Sequence, residues 1–167
     1  CNAKSMTGLS VNAPWPKHGK LQGMRDLDWF AVGGRNVTDD LVDEVLVCKK
    51  LDQLTLAYTS VSTSRLKQIG QLKTLSTLSL PGSEIDPSVI AAWTELKSLW
   101  DVNLDDNEIS TGTLVWLGNI KSLRRLSLNR TQLKNEASEK LGNLTQLSEL
   151  QLAGVEIDKK KIRPLLQ

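Results

Sequence analysis

The chain contains 167 residues, of which 40% are hydrophobic, as expected of a folded globular protein rather than a disordered one. Its 21 Lys and Arg residues nearly balance 19 Asp and Glu residues, so the formal net charge of +2 offers no strong field to nucleic acid or to an anionic membrane. The 2 Cys and 1 His exclude a disulfide framework, a Cys/His zinc site and a haem-attachment motif. We therefore expect no cofactor and no bound metal, and His18 alone remains as a candidate base for a nucleophilic triad.

The N-terminal segment, residues 1–17, contains Pro14-Trp15-Pro16 and is interpreted as a tether or extended segment. It begins Cys1-Asn2-Ala3-Lys4, which resembles the start of a mature bacterial lipoprotein, in which signal-peptide cleavage exposes a cysteine that is then lipidated. The resemblance implies membrane attachment through a lipid at Cys1 alone, since no apolar run approaches the ~18 residues of a membrane-spanning helix. An arbitrary boundary of the chain and a Cys1–Cys48 disulfide are the alternatives.

Residues 18–26 follow this segment and lead into a repeated pattern. Leu21 and Met24 have the spacing that apolar residues show in the second half of each repeat described below. We interpret residues 18–26 as a half-repeat cap over the first strand.

A repeat of 24 residues occupies the rest of the chain. Its first position is always leucine: Leu27, Leu51, Leu75, Leu99, Leu123 and Leu147. Counted from these leucines, positions 4, 6, 11, 19 and 22 are apolar in nearly every copy. The predicted units are 27–50, 51–74, 75–98, 99–122, 123–146 and 147–167.

The spacing of the apolar positions predicts the structure of each unit. Positions 4 and 6 alternate as in a strand with one buried face, whereas positions 15 or 16, 19 and 22 have the spacing of a short helix. Neither half can bury its apolar side alone, so the units are expected to stack and to share one continuous core. Short polar side chains at position 9, as in Asn107 and Thr131, are expected to bond the backbone where the chain bends after the strand.

The pattern LxxLxLxx(T/N)x(I/V)xxxxLxxLxxL resembles the leucine-rich repeat family, most closely its bacterial members, over residues 27–167. The resemblance implies an α/β fold, a right-handed solenoid with a parallel β-sheet on the concave side and short helical segments on the convex side. It also implies recognition of a protein partner, with no family-wide catalytic residue. We therefore expect a non-enzymatic interaction module, either a lipid-anchored scaffolding or accessory subunit of a bacterial envelope complex or a soluble ligand-sensing receptor fragment.

The candidate partner-binding residues occupy outward positions beside the strands, where exposed aromatic and charged side chains concentrate. They are Trp29, Tyr58, Trp100, Asp101, Asn103, Asp105, Asp106, Arg124, Arg125 and Arg130. The acidic strand of the fourth repeat and the basic strand of the fifth form a dipolar strip that would set the register of a partner. Alternatively, facing charges such as Asp101 and Arg125 neutralise each other as cross-strand ion pairs. A hard cation on Asp101, Asp105 and Asp106 is a weaker alternative, because further oxygen ligands are lacking.

The predicted sheet face is small for a tight complex. Six strands spaced ~4.8 Å apart, each with five residues of ~3.3 Å, give a face of about 450 Å². A standard interface buries ~800 Å² on each partner. We therefore expect a flank, the C-terminal edge or the N-terminal segment to add area, and Trp116 at position 18 marks a second contact surface on the convex side.

Overall fold

The computed structural model describes residues 8–11, 21, 24, 26–133 and 137–157. In this part of the chain seven strands form one parallel sheet, in the same order in space as in sequence. They are β1 (Gly8–Val11), β2 (Trp29–Gly33), β3 (Gln53–Ala57), β4 (Thr77–Ser79), β5 (Asp101–Asn103), β7 (Arg125–Ser127) and β9 (Glu149–Gln151). Two further short strands, β6 (Glu108–Ile109) and β8 (Gln132–Leu133), pair with each other.

Short helical segments lie on the other side of the core. They are α1 (Asp40–Leu46), α2 (Thr63–Gln68), α3 (Pro87–Trp93), α4 (Thr111–Asn119) and α5 (Ala137–Lys140), with 3₁₀ turns at Ile69–Gln71 and Leu141–Asn143. Two helices have side-chain caps: Asp86 accepts hydrogen bonds from the backbone N–H groups of Ser88 and Val89, and Ser110 accepts one from Thr113. These caps satisfy donors that have no partner within the helix.

The sheet register follows the 24-residue repeat without a shift. Position 4 of each unit pairs with position 4 of the next, as in Phe30 with Leu54 and Val102 with Leu126. Leucines at positions 1, 4 and 6 are buried in the first five repeats, for example Leu51, Leu54 and Leu80, and those of the sixth repeat are partly buried against the same core. The predicted α/β leucine-rich repeat solenoid with a parallel sheet is confirmed.

The N-terminal end differs from the sequence-based expectation. Residues 8–11, part of the predicted tether, form strand β1, which pairs with β2 so that Leu9 faces Phe30. That pair is separated by 21 residues rather than 24, and the search for the regular period therefore did not detect it. Leu21 is buried and Met24 packs against the core, as a half-repeat cap would require of these two residues, and the cap over residues 18–26 stays a prediction.

In the fourth and fifth repeats the bend after the strand is held by a polar side chain at position 9, as predicted, whereas the buried Ser83 hydroxyl at position 9 of the third repeat has no hydrogen-bond partner among the described residues. The buried Asn107 side chain donates from Nδ2 to the carbonyl oxygens of Leu80 and Leu104 at 2.9 Å, and its Oδ1 accepts from the Ser83 N–H at 2.8 Å. Thr131 likewise donates to the Leu128 carbonyl oxygen at 2.8 Å. Asn107 thereby joins two adjacent repeats through their backbones.

Replacing Asn107 with leucine should lower the free energy of unfolding by about 2–4 kcal/mol, because it leaves buried backbone groups of two repeats without partners. Thr59→Val changes the same repeat position at a half-buried side chain, and should cost less than about 1 kcal/mol. Urea denaturation of both variants measures the difference. Equal, small losses in the two variants would contradict the role assigned to Asn107.

Candidate partner-binding face

The candidate site is the strand face, defined here as the outward side chains at positions 3, 5 and 7 of each strand, together with position 8 just after it and Trp100 at position 2 of the fourth repeat. Three aromatic side chains on this face are exposed, as predicted: Trp29 by 40%, Tyr58 by 48% and Trp100 by 41%. Around β3 and β4 the neighbouring outward residues are small, for example Thr55, Ala57 and Ser79. The aromatic rings therefore stand among smaller side chains.

The backbone at position 8 has a left-handed conformation in all six repeats. The φ angles are 107° at Gly34, 54° at Tyr58, 60° at Gly82, 58° at Asp106, 54° at Arg130 and 73° at Gly154. Glycine adopts this conformation freely, whereas other L-residues lose roughly 1–2 kcal/mol. Three repeats thus carry a side chain at a position where glycine would remove the strain.

These three side chains meet in the rim cluster, which consists of Tyr58, Asp106 and Arg130. The Tyr58 hydroxyl donates to Asp106 Oδ2 at 2.6 Å, and Arg130 donates to both carboxylate oxygens of Asp106 at 2.8 Å. The Tyr58 ring crosses Gly82, where a Cβ atom would lie 2.2 Å from the ring. Hydrogen bonds from Arg130 and then Tyr58 lower the pKa of Asp106 to about 2, and the bond to Asp106 raises the pKa of Tyr58.

A second group, the guanidinium cluster, consists of Trp100, Asp101, Arg125 and Glu149. The Arg125 guanidinium lies 5.3 Å from the centre of the Trp100 ring, within cation–π range. It also pairs with Glu149 at 2.7 Å and with Asp101 at 3.3 Å. Hydrogen bonds from Gln151 and Arg125 hold the pKa of Glu149 below its ordinary value. Asp101 and Arg125 thus form the cross-strand ion pair that was one of the alternatives, and the role of the charged strip in setting the register of a partner stays a prediction.

The polar side chains at the strand ends accept hydrogen bonds from backbone N–H groups. Asn103 Oδ1 accepts from the Asp105 N–H at 2.8 Å, and Asp105 Oδ1 accepts from the Asn129 N–H at 2.8 Å. Asn129 Oδ1 accepts in turn from the Ala153 N–H at 2.7 Å. The sequence analysis did not include Asn129, although its place at position 7, directly one repeat after Asp105, was a usable signal.

Arg124 lies beside the strand face rather than in either cluster. Its guanidinium donates to the carbonyl oxygens of Lys121 and Leu123, both at 2.8 Å. It makes no ion pair with a carboxylate among the residues that the structure describes. The predicted basic strand is therefore divided, with Arg125 and Arg130 paired and Arg124 bound to its own backbone.

The remaining candidate groups are the acidic residues considered for a metal ion, the two cysteines and the single histidine. Within the described ranges, no group of three or more His, Cys, Asp or Glu residues is placed to hold a metal ion. Cys48 is a buried free thiol whose pKa is raised by burial, which confirms the expected core role and gives no support to the Cys1–Cys48 disulfide. Cys1 and His18 fall outside the described residues.

The helical side carries a smaller exposed apolar group. Val115 and Trp116 in α4 are exposed by 49% and 39%. Trp116 is thus accessible, as predicted, and a contact role for it stays a prediction. None of the helices in the described residues has the length and apolar character needed to cross a membrane.

Comparison with known proteins shows the fold. No family model matches the sequence, and no curated protein matches it. One similar solved structure is internalin C2 from Listeria monocytogenes, with a TM-score of 0.54 and 20% sequence identity over 77% of this chain and 62% of that one. Another is TLR13 in complex with ssRNA13, with a TM-score of 0.58 and 21% identity over 82% of this chain and 20% of that one. A third is the plant peptide hormone receptor RGFR1 in complex with RGF2, with a TM-score of 0.52 and 17% identity over 96% of this chain and 29% of that one. The chain therefore has the leucine-rich repeat fold and spans less than two thirds of each of these proteins.

The hydrogen bonds of the rim cluster allow a prediction of the pKa of the Asp106 carboxyl. In the wild-type protein this carboxyl should titrate at a pKa of about 2, and Arg130→Gln should raise this toward the ordinary ~3.9. Because the pKa is lowered in the folded state, the stabilisation is complete above about pH 4 and is lost as the pH falls through the folded-state pKa. Carboxyl-carbon NMR titration measures both values.

Tyr58→Phe serves as the graded control, since it removes one donor and should raise the pKa of Asp106 less than Arg130→Gln does. An ordinary pKa for Asp106 in the wild-type protein would show that the rim cluster does not form in solution.

Proposed function

We propose that this chain with a leucine-rich repeat fold is a non-catalytic protein–protein interaction module that binds its partner on the strand face. The observation that carries the proposal is the exposure of Trp29, Tyr58 and Trp100 on a face of smaller side chains. Tryptophan and tyrosine provide much of the binding energy in many interfaces, because each buries a large area with few rotatable bonds.

Several side chains of the strand face are held in fixed positions, which supports this role. Tyr58 is bound to Asp106 and Trp100 lies against Arg125, so both rings have defined positions before a partner arrives. Side chains that are already ordered lose less conformational entropy on binding, typically about 0.5–1.5 kcal/mol less for each long side chain. The strained backbone at Tyr58, Asp106 and Arg130 also supports a binding role, because backbone strain of this kind is concentrated at functional sites.

The observed sheet has one strand more than predicted, but most of its strands are shorter than five residues, so it remains below the size of a standard interface. Strands of three to five residues, at ~3.3 Å per residue and spaced ~4.8 Å apart, give a face of about 410 Å², against ~800 Å² per partner. We propose that the rim cluster provides part of the missing area, because it extends the strand face beyond the strand ends. Tyr58 and Arg130, both exposed there, are contacts of this kind.

Two biological settings fit such a module. RGFR1 and TLR13 are each described in complex with a ligand, which favours a soluble or secreted ligand-sensing fragment. The alternative is an accessory or scaffolding subunit of a bacterial envelope complex, held at the membrane through a lipid at Cys1. That setting stays a prediction of the sequence, and the intact mass of the natural protein, with or without acyl chains on Cys1, decides between the two.

Position-resolved photo-crosslinking in an extract of the natural source tests the proposed face. A benzophenone amino acid at Thr55 in β3 should yield a discrete adduct, whereas the same group at Lys67 in α2, equally half-buried, should not. Excess unlabelled wild-type protein should abolish the adduct, and excess Tyr58→Ala/Trp100→Ala protein should compete much less. An adduct formed from Lys67 and not from Thr55 would place binding on the helical side and contradict the proposal.

A further inference from the structure

A row of cations lies along the edge of the molecule where each helical segment ends and the next strand begins. We call this the turn edge and define it as positions 23 and 24 of one repeat and position 2 of the next, from Lys73 in the second repeat to Arg124 in the fifth. Its nine residues include four cations and no Asp or Glu. The four cations, all exposed, are Lys73, Lys97, Lys121 and Arg124.

The turn edge adjoins the strand face at Trp100. The Trp100 N–H donates to the Ser76 carbonyl oxygen at 3.0 Å, and the Arg124 N–H donates to the Trp100 carbonyl oxygen at 2.8 Å. These backbone bonds place the position 2 residues of three successive repeats side by side. Arg124 therefore lies one repeat away from an indole that is 41% exposed and already belongs to the strand face.

Half of the Arg124 guanidinium is open to a partner. Its Nη1 donates to the carbonyl oxygens of Lys121 and Leu123, both at 2.8 Å, which fixes the orientation of the group. Among the residues that the structure describes, Nε and Nη2 of Arg124 have no acceptor. These two nitrogens form a fork that matches the two oxygens of a carboxylate.

Arg130 shows what such a fork binds in this protein. Its Nε donates to Asp106 Oδ1 and its Nη2 to Asp106 Oδ2, both at 2.8 Å. Arg124 presents the same two nitrogens on an exposed side chain without a carboxylate from the described part of the chain. The arrangement therefore matches a carboxylate that comes from outside.

The lysines of the turn edge add positive charge around this fork. The ammonium groups of Lys73 and Lys121 donate to the carbonyl oxygens of Gly70 at 2.8 Å and Gly118 at 3.2 Å. A lysine at the end of a helix is favourable in itself, so these contacts alone do not identify a partner. A carbonyl oxygen does not neutralise the ammonium, however, and each lysine has three N–H donors, so two remain available. Lys97 pairs with Glu95 at 3.2 Å, and both of these side chains are mostly exposed.

The strand face next to the turn edge has the opposite charge balance. From β5 to β9 its four carboxylates exceed its two guanidinium groups, and the six residues are Asp101, Asp105, Asp106, Glu149, Arg125 and Arg130. A uniform polyanion such as RNA would meet these carboxylates wherever it crossed from the turn edge onto the strand face. A protein segment can confine its own carboxylates to the turn edge, so an acidic protein segment fits both surfaces.

We infer that the partner of the strand face continues over the turn edge, that its segment there is acidic, and that Nε and Nη2 of Arg124 hold one of its carboxylates beside Trp100. This inference rests on the proposed function and names the chemistry of the partner. It also provides contact area beyond the strand face, which alone is below the ~800 Å² of a standard interface.

The test uses three fluorescein-labelled probes: a nonapeptide of alternating glutamate and serine, the same peptide with glutamine for glutamate, and a nine-nucleotide oligouridine. Fluorescence anisotropy should show binding of the glutamate peptide to the wild-type protein, weakened about tenfold by Lys121→Gln/Arg124→Gln. The matched control, Lys67→Gln/Lys140→Gln, removes two cations from the helical side and should change binding less than about twofold.

Two further measurements address the fork itself. Arg124→Lys keeps the charge but removes the paired donors, and should weaken binding of the glutamate peptide about threefold. In ¹H–¹⁵N spectra the Trp100 indole signal should shift with the glutamate peptide, and that of the buried Trp93 should not.

Five results would overturn the inference: no binding of the glutamate peptide, equal weakening by both double variants, glutamine-peptide binding as tight as glutamate-peptide binding, tighter binding of oligouridine, or unchanged binding by Arg124→Lys. Its failure is distinguishable from failure of the proposed function. If Thr55 still yields a crosslinked partner in the Lys121→Gln/Arg124→Gln protein at the wild-type yield, the strand face binds a protein and the acidic segment is wrong. If the Thr55 adduct is absent from the wild-type protein as well, the proposed function fails with it.

Discussion

The structure depends on the stacking of repeats in register, since no single unit can bury its own apolar side. A strand of three to five residues and a helix of four to nine are too short to be stable alone in water. Because the repeats are 24 residues long, position 4 of each unit pairs with position 4 of the next, and the leucines form one continuous core. Every outward side chain thereby acquires a fixed place relative to its neighbours on the adjoining strands.

The same stacking explains why strain is concentrated after the strands. All six repeats leave the sheet through a left-handed residue at position 8, and the three without glycine place Tyr58, Asp106 and Arg130 in one row. Gly82, between Tyr58 and Asp106, leaves room for the Tyr58 ring to reach the carboxylate. The rim cluster is therefore a product of both the required backbone conformation and the choice of side chains within it.

The sequence was sufficient to predict the repeats, the core positions, the buried Cys48 and the exposure of Trp29, Tyr58 and Trp100, because each follows from periodicity. It did not reveal β1, whose 21-residue offset departs from the period. Nor did it decide whether Asp101 and Arg125 attract a partner or each other, because that depends on how long side chains orient across neighbouring strands.

The central claim is that the strand face is one rigid surface maintained by the stacked repeats. Native-state hydrogen exchange of the backbone amides of Leu54, Leu78, Val102 and Leu126 tests it most directly, because these amides lie on four successive interior strands. The account predicts one common free energy of opening, equal to the free energy of global unfolding measured with denaturant. Opening free energies that differ by more than about 2 kcal/mol between these strands would show repeats that open separately, and would contradict a surface that is ordered before its partner binds.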